Sequence, residues 1–185
     1  MTARLLPLLL PAALIACAAE DEKDDHDHEE VEDLPGFEVG ATPPDFTLPD
    51  DAGAEQTLSA QVGLGVLIFS AAEWCGSCQA LLPEVAAWSE GAPDDLIIWN
   101  VLLQDTTGQP ASVDAAAGWS ERFDLPFPVL ADTGGAWMAA WGGAGGSSQH
   151  STTLVDRDGH VFFRRADGRA TTVSELEVEV SRLAL

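Results

Sequence analysis

Three cysteines and four histidines carry much of the chemistry that this sequence can offer. Two of the cysteines, Cys75 and Cys78, are separated by Gly76 and Ser77. They stand where an apolar run, Val66-Leu67-Ile68-Phe69, gives way to a helical pattern of Leu81, Leu82, Val85, Ala86 and Trp88. The run is rich in β-branched and aromatic residues, which suits a strand buried on both faces. Gly76 breaks the pattern, and Ser77 can cap a helix. Cys75 then falls at or just before a helix N-terminus. Free N–H groups and the helix dipole favour an anion there and lower a thiol pKa from about 8.5 toward neutrality. Cys78 is one turn on and can attack a mixed disulfide formed on Cys75. Cys-x-x-Cys at a strand-to-helix turn is thus a two-electron redox device.

The same spacing can supply half of a structural zinc site. A second pair of ligands is then needed. The third cysteine, Cys17, ends a signal-like segment, and His26 and His28 lie in an acidic stretch. The redox reading is the better supported of the two.

The turn Ala72-Glu73-Trp74-Cys75-Gly76-Ser77-Cys78 resembles the active-site turn of the thioredoxin superfamily. Pro83, five residues after Cys78, is similar to the proline that kinks the active-site helix in that family. The likeness covers residues 40–184. Ala41-Thr42-Pro43-Pro44-Asp45-Phe46-Thr47-Leu48-Pro49-Asp50 resembles the entry segment of TlpA-like and peroxiredoxin-like proteins, which carry an extra N-terminal strand or hairpin. The resemblance implies an α/β protein with a central mixed sheet flanked by helices and that N-terminal extension. It also implies thiol–disulfide exchange by Cys75 and Cys78, supported by Glu73, Trp74, Gly76 and Pro83. No cofactor beyond the Cys75–Cys78 disulfide is implied. The partners it implies are a protein dithiol or disulfide substrate and a redox donor or acceptor protein.

Two departures from that family, and one from the peroxiredoxins, bear on function. Aligned on Leu154-Val155-Asp156-Arg157-Asp158-Gly159, the family's cis-proline position falls on His150. His150 can be a plain loop residue, a partner of the Cys75 thiolate, or the third ligand of a Cys75–Cys78–His150 site for copper. The last reading is similar, in part, to Sco-type copper chaperones. The family's buried Asp, six residues before the first cysteine, is Phe69 here. Glu73 is nearer but is expected to be exposed, so deprotonation of Cys78 falls to water or His150, and the weaker base predicts slower turnover. Finally, a peroxiredoxin-like peroxide reductase needs a hydroxyl three residues before its cysteine, where this chain has Ala72.

The ends of the chain add a location. Arg4, an apolar stretch from Leu5 to Ala16, and Leu14-Ile15-Ala16-Cys17 resemble a bacterial lipoprotein signal, with residues 1–16 removed and Cys17 acylated. An ordinary signal peptide or membrane anchor is the alternative. Residues 17–36 are acidic and nearly devoid of apolar side chains, so they are expected to form an extended tether. Weak metal capture by His26 and His28 is a minor alternative. Residues 37–185 form the domain. The implied setting is extracytoplasmic, with attachment to a membrane through the N-terminal lipid. A formal charge of −23 argues against nucleic-acid binding.

The remaining elements follow from pattern. Phe46 and Leu48 alternate as in a half-buried strand, and Thr57-Leu58 begins the return after the turn Asp51-Ala52-Gly53. Leu96–Leu103 reads as a second buried strand, and residues 111–123 as a helix capped by Ser112. Ala136–Trp141 is a short helix. Thr152–Asp156 and Val161–Arg164 flank a hairpin turn, with His160 on the second strand. A last helix over residues 171–183 has Ser174 as a cap. Trp74 is placed at the active-site rim and Trp88, Trp99 and Trp119 in the core. Trp137 and Trp141 suit the core, with an exposed docking ridge as the alternative.

Overall fold

A five-stranded sheet in the order β5-β4-β3-β6-β7 sets the frame. The computed structural model describes residues 36–142 and 151–183. Its strands are β3 (Gly65–Ala72), β4 (Leu96–Gln104), β5 (Val129–Ala131), β6 (Thr152–Val155) and β7 (Val161–Arg165). β3, β4 and β5 run parallel, whereas β6 is antiparallel to β3 and β7 to β6. The helices are α1 (Gly76–Ser89), α2 (Val113–Phe123), α3 (Ala136–Gly142) and α4 (Val173–Arg182). A separate hairpin, β1 (Thr47–Pro49) with β2 (Glu55–Thr57), precedes them. This is the mixed sheet flanked by helices, with an N-terminal hairpin, that the sequence implies.

Alternation along the central strands divides the core in two. Leu67, Phe69 and Ala71 of β3 join Leu82, Val85, Trp119, Leu176 and Val180 under α1, α2 and α4. Val66 and Ile68 face the other way and join Trp99, Val101, Leu103, Trp137 and Trp141 with Leu48 of the hairpin. Every residue of β3 is buried, as a strand covered on both faces requires. The hairpin also guards a sheet edge. Asp50 bridges Leu130 of β5, and the Asp51 carboxylate accepts the Val129 N–H at 3.3 Å. An unprotected edge strand would otherwise offer its N–H and C=O groups to other chains.

Several local expectations need correction. Cys75, not Ser77, is the N-cap of α1. The chain turns one residue before the glycine, so Ser77 already lies inside the helix. Thr172, not Ser174, caps α4. Its hydroxyl accepts the Glu175 N–H while the Glu175 carboxylate accepts the Thr172 N–H, a reciprocal box. Thr57 ends the return strand rather than beginning it. His160 lies in the β6–β7 turn before β7 starts, its N–H held by the Asp156 carboxylate at 2.9 Å. Trp137 and Trp141 are buried and stacked on each other, as the core reading expects, and only the alternative of a docking ridge falls. Ser112 caps α2 as expected, accepting the Ala115 N–H at 3.1 Å.

Candidate active site

The site grows from the C-terminal end of β3. That strand stops pairing with β4 after an irregularity between Ala71 and Ala72, and Ala72↔Gln104 is its last partner pair. The freed chain turns at once. The Cys75 N–H donates to the Ala72 carbonyl at 2.9 Å, closing the turn. Cys75 keeps an extended backbone, φ −84° and ψ 99°, as an N-cap does. Its sulfur accepts the Cys78 N–H at 3.3 Å, and the Ser77 hydroxyl lies 3.6 Å from it. The two cysteines form a disulfide across Cα atoms 5.3 Å apart. That span is ordinary for the bond. Both are largely buried, Cys75 at 5% and Cys78 at 4% exposure, while Gly76 and Ser77 between them face solvent.

Cys75 therefore occupies the cap position where developing negative charge is best received. Once the bond opens, the Cys78 N–H and the α1 dipole both act on the Cys75 sulfur. Pro83 sits inside α1, where it removes one N–H from the helix ladder. The helix nevertheless runs on to Ser89.

Trp74 stands at the rim with 46% exposure, its indole N–H donating to Gln104 Oε1 at 3.2 Å. Glu73 is half-buried rather than exposed, contrary to the sequence expectation. Its carboxylate accepts the Thr106 N–H at 2.8 Å and so faces the loop after β4. The Glu73 carbonyl accepts from the Gln79 side chain at 2.6 Å, and Arg122 of α2 reaches Gln79 at 3.2 Å. Gln104 also donates to the Gly108 carbonyl at 2.9 Å.

Gln79 and Gln104 thus brace the turn, and the sequence reading missed both. A polar residue just after the second cysteine, and another ending a buried strand, were the signals available. Asn100 was missed as well. It is fully buried, donates to the Phe69 carbonyl at 3.0 Å and accepts from the Trp119 indole at 3.0 Å. An Asn inside an otherwise apolar strand was the clue, because a buried amide must find partners.

Of the sequence-predicted site residues, the structure gathers Cys75, Cys78, Glu73, Trp74 and Gly76 at one turn, with Pro83 further along α1. Cys17 and His150 lie outside the described residues, as do the signal segment and residues 17–35 of the tether. Among the described residues, no group of three or more His, Cys, Asp or Glu is placed to hold a metal. No described helix is long and apolar enough to cross a membrane.

The chain is similar in sequence and in fold to known proteins. The chain is 32% identical over 124 residues to a thiol-disulfide oxidoreductase ResA of Geobacillus thermodenitrificans. The match spans 66% of this chain and 66%, just under two thirds, of that relative. The exposed lipoprotein thioredoxin Etrx1 of Streptococcus pneumoniae superimposes with a TM-score of 0.62 at 23% identity, covering 76% of this chain and 100% of that one. The peroxidoxin BcpB of Mycobacterium tuberculosis gives 0.63 at 20%, covering 80% and 97%. Likeness at that level of identity fixes the fold, which is thioredoxin-like. The family model for AhpC/TSA matches residues 39–164, more than half of the chain and the whole stretch from the hairpin through β6, so the chain belongs to the AhpC/TSA family.

Proposed function

We propose that this protein is a thiol–disulfide oxidoreductase that works outside the cytoplasm, tethered by a lipid on Cys17. The observation that carries the reading is the placement of Cys75 as the N-cap of α1, its sulfur bonded to Cys78 and accepting the Cys78 N–H. In the reducing direction, the Cys75 thiolate attacks a substrate disulfide and one substrate sulfur leaves as a thiolate. Cys78 then loses its proton and attacks Cys75. The Cys75–Cys78 bond forms, the bond to the substrate breaks, and the second substrate sulfur leaves with the electron pair. The oxidising direction is the reverse.

The ResA relative, named for this chemistry, supports the activity. The pneumococcal structure, named an exposed lipoprotein thioredoxin, supports the location and the anchor. Substrates are protein dithiols or disulfides, and a second redox protein restores the pair. The direct test is reduction of insulin disulfides by the reduced protein, in parallel with Cys75→Ser. Turnover by the wild type and none by the variant is expected. Equal rates would sink the reading.

A peroxide-reducing role is the second reading, favoured by the AhpC/TSA match itself. It predicts stoichiometric oxidation of the reduced pair by hydrogen peroxide at rates far above those of a free dithiol. Ala72, three residues before Cys75, offers no hydroxyl to orient a peroxide, which places this reading second.

A further inference from the structure

Resolution of the mixed disulfide needs a route for the Cys78 proton, and the position where the thioredoxin superfamily keeps an acid is filled by Phe69. The Phe69 ring is buried edge-on against Phe127, with centroids 5.6 Å apart, so no carboxylate reaches Cys78 from there. A cavity of about 10 Å³ lies instead against Cys78, with Ser70, Ser151, Arg169 and Thr171 in its wall. That is room for a single water molecule. Ser70 and Ser151 are buried and joined, hydroxyl to hydroxyl, at 2.9 Å, with the Ser151 N–H donating to Ser70 Oγ at 3.0 Å. Thr171 is 1% exposed, and its hydroxyl is buried without a hydrogen-bond partner in the protein. A buried hydroxyl of this kind calls for an ordered water.

We propose that one water molecule, held by Thr171 in the cavity beside Cys78, carries away the Cys78 proton during resolution. The proposal rests on the thiol–disulfide reading above. The cysteine loses its proton to the water, which passes it to bulk solvent. The Cys78 thiolate attacks the Cys75 sulfur, and the leaving thiolate departs with the electron pair of the broken bond. Thr171 is a positioning residue here and exchanges no proton in net. Charges around the cavity are few. β3 and β6 carry none, and Glu84, the one charged residue of α1, is not in the wall. Glu175 of α4 is occupied by Arg165 at 2.7 Å. Arg169 is the one charged residue of the wall among those described, and its Nε lies 3.3 Å from Asp167.

The test uses the full chain with Cys17→Ser, so that Cys75 and Cys78 are its two thiols, reduced and mixed with 5,5′-dithiobis(2-nitrobenzoate) in a stopped-flow instrument. The first release of chromophore reports attack by Cys75, and the second reports resolution by Cys78. Thr171→Val is expected to slow the second release by about tenfold, the scale of one lost hydrogen bond. It should also move the pH midpoint of that phase upward, and Thr171→Ser should restore both. Two releases in the wild type with an unaltered second phase in Thr171→Val would overturn the water route and leave the activity standing. A wild type that shows no second release at any pH would overturn the thiol–disulfide reading together with the route.

Discussion

The two faces of the sheet are built from different materials. Under α1, the cysteines sit among Leu67, Ala71, Leu82 and Val85, with a cavity against Cys78 and two separate aromatic pairs, Phe69–Phe127 and Trp119–Phe123, in the same core. Under α3, Phe46, Trp99, Trp137 and Trp141 pack edge to face, and Trp137 stacks on Trp141 with centroids 5.2 Å apart. Arg164 completes that side, its guanidinium 3.7 Å from the Phe37 ring centre and bonded to the Trp141 carbonyl at 2.6 Å. Burial there holds its pKa below the ordinary guanidinium value. The aromatic face contributes stability, while the α1 face keeps small side chains and hydroxyls near sulfurs that must move. Three of the six Trp pack on the aromatic face, Trp119 and Trp88 on the other, and Trp74 alone stands well exposed at the cysteine turn.

If the division is real, variants on the two faces should fail in different assays. The largest effect is at the turn. Cys75→Ser should abolish exchange with a disulfide substrate and leave the far-UV circular dichroism spectrum of the reduced protein in place. Trp137→Ala, on the other face, should cost about 3–5 kcal/mol in urea unfolding, the usual range for emptying a buried aromatic site. Its remaining folded fraction should keep a normal Cys75–Cys78 couple. A loss under about 1 kcal/mol would mean that the aromatic face is not the anchor.

Asn100→Ala tests the buried polar link between β3 and α2 on the α1 face. The change leaves the Trp119 indole and the Phe69 carbonyl without their partner, and should cost about 1–3 kcal/mol. The emission of the buried tryptophans should shift with it. Thr172→Ala removes the box at the start of α4 and should cost about 1 kcal/mol in the same assay, with Thr172→Ser recovering most of it.

The smallest effect is electrostatic. The Arg165 guanidinium, helped by the Thr172 N–H and hydroxyl, pulls the Glu175 carboxyl from 4.5 down to about 2. A carboxyl depressed in the folded state adds stability above its unfolded value, and that contribution fades as pH falls from 4.5 toward 2. Carboxyl NMR titration should find Glu175 still ionised at pH 3. A midpoint near 4 would remove the contribution.

Much of this was legible in the sequence, because apolar runs and turn residues record burial directly. Val66–Phe69, Leu96–Leu103 and the turn at Gly159 marked the strands and hairpin that position the cysteines. The cap of α1 lies two residues before the expected Ser77, the better cap by propensity, because the disulfide-bonded turn places Cys75 there. The tryptophan placements were legible as well, with Trp74 at the rim and Trp99, Trp119, Trp137 and Trp141 inside. For Gln79 and Gln104 the polar residue marks the place, but two of their partners, the Glu73 and Gly108 carbonyls, belong to the main chain, which no side-chain pattern reveals. The cavity at Cys78 joins residues far apart in the chain, and nothing local announces it.

The central claim is that Cys75 and Cys78 form a working redox couple. The most direct test equilibrates the protein in dithiothreitol buffers of graded ratio, traps free thiols by alkylation, and reads the oxidised fraction by mass spectrometry. The account predicts one reversible transition with a two-electron slope, about 30 mV for each tenfold change in the oxidised-to-reduced ratio, reached equally from the reduced and the oxidised side. A pair that stays locked in one state across that range, or that yields different fractions from the two sides after long equilibration, would contradict it.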